Sequence, residues 1–409
     1  MSYTKISSCR ICGNAHLVPV LDLGEQTLTG VFPKTKDQRI TRGPLRLVKC
    51  TSTEDHCGLL QLEHSYDLGE MYGDNYGYRS GLNLSMVKHL KNKVTRILSL
   101  VDLSDNSIVL DIGSNDGTTL AAYPGAQCIR VGMDPTAAKF RQYYPADAVV
   151  IADFFSGPRF SQEFPGRKAR VVTSFSMFYD LEKPLDFMRE VASILDSRGI
   201  WVFEQSYMPL MLERNSYDTA CHEHLEYYAL KQIEWMTRHA GLKIIDIEFN
   251  DVNGGSFSVT AALDNAPYET YPQLPKLLKD EAYLDDLATY HAFEERVIAS
   301  RIQLKAFVDE AQRAGKRVAC LGASTKGNVL LQYCGFSEEN IEAIGEVNPD
   351  KFGAFSPGSL LPIVDEAQLL ADEPDYLIVL PWHFRDFFLS KYHLKKARLV
   401  FPLPTLQVI

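Results

Sequence analysis

The sequence predicts an α/β protein in three parts: a small cysteine-bearing module, a central strand–helix domain, and a second strand–helix domain at the C-terminus. Two observations carry this. Four of the eight cysteines fall within the first 57 residues. Two separate series of short apolar runs, several of them separated by helix-length segments, begin near residues 107 and 316. Such alternation is what parallel sheets covered by helices require. The parts divide at 1–75, 76–285 and 286–409.

The first part is turn-rich and too short to bury much core by itself, so a metal staple would help it fold. Next, NLSMVKHLKNKVTRILSLV places Met86, Val87, Leu90, Val94, Ile97, Leu98 and Val101 on one helical stripe. Strands are expected at SIVLDI (107–112), CIRVGM (128–133), RVVTSF (170–175), GIWVFEQ (199–205) and KIIDIEF (243–249). A charged helical stretch from Glu281 to Ala314 links to the last unit. There the strand candidates are KRVACLGAS (316–324), IEAIGEV (341–347), YLIVLPW (376–382) and ARLVFPL (397–403).

The 409-residue chain has a formal net charge of −10, which repels phosphate backbones and argues against bulk nucleic-acid binding. No N-terminal stretch resembles a signal peptide, and no uncharged apolar run is long enough to span a bilayer. The expectation is a cytoplasmic protein without a membrane partner, in which clustered cysteines hold metal rather than form disulfides.

Four motifs bear chemistry. Cys9 and Cys12 have the two-residue spacing of a zinc knuckle, and Cys50 and Cys57 supply a second, wider pair. The wide spacing leaves His56 as an alternative fourth ligand, and four reduced, buried thiols as the bland alternative. Four protein ligands would leave no open coordination position, so such a zinc is structural.

VLDIGSNDG (109–117) is a strand ending in Asp111, then a turn through Gly113 and Gly117. It has neither the dinucleotide GxGxxG spacing nor a P-loop lysine. An acidic strand end without concentrated positive charge suits a ligand with an amino group and hydroxyls, as in S-adenosylmethionine. The next strand ends at Asp134, where a carboxylate can accept ribose hydroxyl protons. Asp153 and Phe154 then follow, suited to an adenine amino group and ring face.

The third motif is HEHLEYY (222–228). In an extended segment His222 and His224 would share a face, with Glu223 opposite. The spacing is not that of a helical zinc site, and proton transfer fits better. A satisfied packing histidine is the alternative. The fourth motif is GASTKGN (322–328), where a helix start and Lys326 suit a diphosphate; a plain strand–helix turn is the alternative.

In this order the motifs resemble the nucleotide-sugar C-methyltransferases that methylate carbon 3 of 4-keto-6-deoxyhexoses. The resemblance spans nearly the whole chain and rests on CRIC, CGLLQ (57–61), YGYRSG (76–81), LDIGSNDG, HEHLEYY and GASTKGN. It implies a zinc module, a Rossmann-like S-adenosylmethionine domain and a C-terminal Rossmann-like domain that helps hold the nucleotide sugar, in a monomer. It implies His224 as catalytic base, with Glu223 and Tyr76 beside it. Asp111, Gly113, Asn115, Asp134, Asp153 and Phe154 would bind the donor. Tyr78, His222, Ser324, Lys326 and Asn328 would face the substrate. Cys221 departs from the family pattern, which has tyrosine there. An O- or N-methyltransferase, or a zinc-bearing binding module without catalysis, would share the donor turn but need no carbon base.

Overall fold

All five residues of the strand Ile108–Ile112 are buried, as a parallel strand covered on both faces must be. In the computed structural model, which describes residues 3–51, 56–72, 79–392 and 396–409, this strand is central to a seven-stranded sheet. The spatial order is Leu242–Asn250, Ser256–Leu263, Leu195–Ser206, Ala169–Phe175, Ile108–Ile112, Ile129–Met133 and Val149–Ile151. Neighbours from Leu195–Ser206 onward pair in parallel, with Asp111 opposite Gly132 and Thr173.

The expectation of a parallel sheet needs one correction. Ser256–Leu263 runs antiparallel to both of its neighbours, so the sheet is mixed at one side. Its sequence, SFSVTAAL, has seven buried positions of eight, but serine, threonine and alanine break up Phe257, Val259 and Leu263, so no continuous bulky apolar run marks the strand.

The helix Leu84–Leu100 is started by Asn83, whose side chain accepts from the N–H groups of Ser85 and Met86. Its buried face holds Leu90, Val94 and Ile97 as expected, and also Lys93. That lysine pairs with Glu204 at 2.8 Å and Glu248 at 2.7 Å.

The N-terminal segment builds more sheet than its turn-rich sequence suggests. Leu17–Thr27 and Arg42–Cys50 form a long antiparallel pair, and Leu60–Leu62 adds to it. The fourth strand of this sheet, Glu226–Tyr227, comes from far along the chain and pairs antiparallel with Leu60 and Gln61.

The C-terminal sheet has the order Ile363–Asp365, Ile344–Glu346, Val318–Leu321, Tyr376–Val379, Arg398–Phe401 and Gln407–Val408, parallel except for the last. The charged stretch before it is a 27-residue helix, Leu287–Arg313. It is more than a link: Tyr290, Phe293, Val297, Leu304 and Val308 are buried at helical spacing along it. One apolar core joins Leu28 and Leu47 of the first sheet to Tyr217, Phe293, Leu321 and Phe401.

Candidate functional site

The carboxyl ends of the central parallel strands open on a cavity of about 320 Å³, at the position where open α/β sheets bind ligands. Asp111, Gly113, Asn115, Asp134 and Phe154 line it. Gly113 turns the chain there with φ +69°, and a Cβ on it would approach Met177 Cγ to 3.1 Å. Glycine is thus required both by the backbone and by the cavity wall. Asp134 is 7% exposed and fixed from three sides. Its carboxylate accepts the Asn115 N–H at 2.9 Å and both the N–H and hydroxyl of Thr136 at 2.6 Å. Asp111 accepts the Thr173 hydroxyl at 2.5 Å. Burial, with the charge of Asp134 adding to it, pushes the Asp111 carboxyl up to about 7.

The donor set tests the cofactor. Four carboxylates line the cavity (Asp111, Asp134, Asp180 and Glu182), and among its described lining residues there is no lysine, arginine or histidine. Phe154, Phe155, Phe175 and Phe187 supply apolar and aromatic wall. Such a cavity rejects phosphate and fits a cationic ligand with ribose hydroxyls and a flat base, which is the chemistry of S-adenosylmethionine. Asp153 is not part of this wall; its carboxylate accepts the N–H of Phe154 at 2.8 Å. The segment Met177–Glu182, which sequence reading passed over, supplies much of it. Its position directly after the strand Ala169–Phe175 was the available signal.

Asn115 does a second job. Its side chain accepts the N–H of Ser80 at 3.1 Å, and Asp116 accepts that of Gly81 at 3.0 Å. The donor turn therefore holds the end of the YGYRSG segment. Tyr76 and Tyr78 themselves lie outside the described residues.

HEHLEYY does not run extended from its start. Residues 222 and 223 form a turn, and only Glu226–Tyr227 is strand. The expected alternation fails in consequence. His222 is fully buried, with its ring against Tyr66 at 4.6 Å and Nδ1 3.5 Å from the Thr29 hydroxyl. It lines neither cavity at the site, and burial drives its imidazole down to about 3. Glu223 turns to the same loop, accepting the Thr29 hydroxyl at 3.2 Å.

His224 goes the other way. Its Nδ1 lies 2.9 Å from the Thr219 carbonyl, and its ring packs edge-on against Tyr179 at 4.4 Å. A carbonyl can only accept, so Nδ1 carries the proton and Nε2 keeps its lone pair. Burial, then the positive charge of Lys326, lowers His224 to about 4. Leu225 N–H donates to the Tyr179 carbonyl at 2.8 Å. This bond ties the histidine loop to the segment whose neighbouring residues, Met177 and Asp180, line the donor cavity. His224 also borders a small pocket of about 10 Å³ with Tyr179, Ser206, Thr219 and Glu226.

The GASTKGN side chains are largely committed within the protein. Ser324 caps the helix Thr325–Cys334 by accepting Gly327 N–H at 3.0 Å. Lys326 donates to the Asn253 carbonyl at 3.0 Å, and its charge acts on both His224 and Asp218. Asn328, fully buried, donates to the Thr29 carbonyl at 2.8 Å. Thr29 and Gly30 thus sit where all three parts of the chain meet, a role no local pattern in the sequence announces.

The cysteine module passes its own test. The sulfurs of Cys9, Cys12, Cys50 and Cys57 all lie within 4.8 Å of one another. The closest approaches are 3.5 Å for Cys9 to Cys57, 3.5 Å for Cys12 to Cys57 and 3.7 Å for Cys12 to Cys50. Tetrahedral Zn–S bonds of about 2.3 Å place sulfurs about 3.8 Å apart, so the group fits zinc. Asn14 donates to Cys50 Sγ at 3.3 Å, as a partner behind a metal ligand does. His56, weighed as a fourth ligand, is outside this group of four.

Comparison with known proteins agrees with this geometry. Three domain families match in succession: "Putative zinc binding domain" over residues 9–72, a methyltransferase domain over 86–247, and a C-methyltransferase C-terminal domain over 251–404. The chain is an S-adenosylmethionine-dependent methyltransferase whose last part matches a C-methyltransferase C-terminal domain. The C-methyltransferase NovU of Streptomyces niveus is 28% identical to it, over 99% of this chain and 97% of its own. Among solved structures, an S-adenosylmethionine-dependent methyltransferase of Clostridium acetobutylicum overlaps 43% of this methyltransferase and 92% of its own chain, at 12% identity and a TM-score of 0.33. The CcbJ methyltransferase of Streptomyces caelestis covers 42% of this chain and 89% of its own, at 13% identity and a TM-score of 0.34. Among the described residues of the methyltransferase, no helix is long and apolar enough to cross a membrane.

Proposed function

We propose that this C-methyltransferase acts on a nucleotide-linked 4-keto-6-deoxyhexose, adding the methyl group at carbon 3, as a cytoplasmic monomer. The division near residues 75 and 285 belongs to the same reading, with the last part helping to hold the nucleotide sugar.

One observation carries it. His224 packs on Tyr179, between the cavity-lining Met177 and Asp180, as a neutral imidazole whose tautomer leaves the Nε2 lone pair to take a proton. A carbon acid needs such a base, whereas a ready nucleophile such as an amine does not. The ketone at carbon 4 acidifies the carbon 3 proton by spreading charge onto its oxygen. His224 Nε2 takes that proton, and general-base help of this kind gives about 10²–10⁴ in rate. S-adenosylmethionine, when bound, supplies an electrophilic methyl group to the carbanion carbon. Asp134, Asp111 and the Gly113 turn hold the donor, with Asn115 and Phe154 beside them. Glu223 shapes the loop that carries His224. Tyr76 is the candidate hydrogen-bond donor to the enolate oxygen, and Lys326 adds positive charge on the same side. Tyr78, His222, Ser324 and Asn328 complete our substrate-side assignment. His222, Ser324 and Asn328 act there through the loop and helix they brace.

The test is methyl transfer to a panel of nucleotide 4-keto-6-deoxyhexoses, with the matching 4-hydroxy sugars as controls. Mass spectrometry detects the gain and NMR locates it. Methylation at carbon 3 of keto sugars alone is expected, together with near-complete loss of turnover and intact donor binding in His224→Asn. Methyl gain on the hydroxy sugars, or undiminished turnover in His224→Asn, would refute the carbon-acid mechanism.

A further inference from the structure

Between the two knuckle cysteines lie Arg10 and Ile11, and the side chain of Arg10 points away from the metal group into the protein. The guanidinium side chain is 2% exposed. Nη1 donates to the Leu62 carbonyl at 2.6 Å and Nη2 to the Ser65 hydroxyl at 2.9 Å. Nε donates to Glu182 at 3.3 Å and lies 3.9 Å from the carboxylate of Glu226. Its backbone N–H donates to the side chain of Gln61, the residue that pairs with Glu226 in the sheet.

Each acidic partner belongs to the site. Glu182 lines the donor cavity, and Glu226 borders the small pocket beside His224. Glu226 is buried, and its side chain is wholly shielded from solvent. Burial pushes its carboxyl well above the ordinary range, and Arg10 opposes that shift. One planar cation therefore spans the zinc module, the cavity wall and the strand that follows the histidine. A fork with donors at three fixed angles can do this; a lysine's single ammonium cannot.

We propose that Arg10 is a positioning residue, which sets the Met177–Glu182 wall through Glu182 and the histidine loop through Glu226, so that the knuckle's geometry is transmitted to the methyl-donor site. This rests on that cavity holding the donor. The arginine touches neither reacting atom; it acts by fixing what does.

The experiment uses the full-length zinc-loaded protein and calorimetric binding of S-adenosylhomocysteine. In Arg10→Met, metal content should remain at the wild-type level, because the four sulfurs are untouched. Displacement of the wall should weaken binding about tenfold, as small misplacements of binding groups do. Arg10→Lys should fall short of full rescue. Glu182→Gln should reproduce the weakening, and the double variant Arg10→Met with Glu182→Gln should be no worse than the weaker single variant. Wild-type affinity in Arg10→Met, or strictly additive losses in the double variant, would overturn the proposal. If Arg10→Met does not fold, wild-type affinity in both Arg10→Lys and Glu182→Gln overturns it. Failure of the unaltered protein to bind S-adenosylhomocysteine would instead remove the donor-cavity reading, and this inference with it.

Discussion

The imidazole of His224 and the backbone carbonyl of Thr219 meet at 2.9 Å, and this one bond decides which nitrogen can accept a proton. The chain folds its histidine loop back on itself so that Nδ1 is occupied and Nε2 keeps its lone pair. Burial and the charge of Lys326 then keep the ring neutral.

A neutral base at about 4 stays unprotonated throughout the range where an ordinary histidine, near 6.5, would begin to lose its lone pair. The acid limb of the kcat/KM profile should therefore lie below the usual histidine region. Lys326→Met removes the second cause of the shift and should move that limb towards neutrality. An acid limb near 6.5 in the unaltered enzyme would contradict the assignment.

Gly30 faces Glu223. A Cβ at this position would come within 2.1 Å of Glu223 Oε1 and within 3.7 Å of the Thr325 hydroxyl. Gly30→Ala must push the glutamate aside, and the histidine next to it moves too. Turnover should fall by about 10–100-fold, while calorimetric donor affinity stays unchanged because the loop is not part of the cavity wall.

His222 is held near 3 in the fold, against 6.5 for an ordinary histidine. As pH falls, the unfolded chain takes up this proton first. The contribution is intact above about 6.5 and is lost progressively as pH drops towards 3. Buried carboxyls such as Asp111 titrate with the opposite sign, so the contrast with a variant isolates the histidine. The fall in Tm between pH 7.5 and pH 5 should be smaller in His222→Phe than in the unaltered protein. Equal falls would show that His222 does not bear this load.

Chelation, or Cys57→Ser, should release the metal and lower Tm, since a four-ligand zinc contributes directly to folding. Metal analysis with a thermal melt checks this. A protein that keeps its Tm without metal would overturn the structural assignment.

The candidate donor cavity is legible because its logic is local. A buried strand, a glycine turn and an acid at the next strand end are contiguous patterns, and each marks a place where backbone must approach a ligand. The cysteines were legible for a similar reason, although the spacing of Cys50 and Cys57 hid how closely their sulfurs gather. What the sequence withheld is long-range. Nothing near Thr29 or Gly30 says that Glu223 and Asn328 meet there, and HEHLEYY alone does not say that its two histidines diverge. Arg10 reads as filler between ligands until Glu182 and Glu226 are folded against it. The strand Ser256–Leu263 is faint in the sequence because serine, threonine and alanine interrupt Phe257, Val259 and Leu263, leaving no continuous bulky apolar run.

The pairing of Glu226–Tyr227 with Leu60–Gln61 also has a consequence in time. The first sheet can assemble soon after its three early strands leave the ribosome, but the partner of Leu60–Leu62 lies roughly 160 residues further on. At about 5–20 residues per second, that edge waits on the order of ten seconds with its N–H and C=O groups unpaired. An open edge is a template for wrong partners. The strand that follows the histidine loop therefore also closes an edge left open on the nascent chain, and slowing synthesis between the two should cost soluble yield before it costs specific activity.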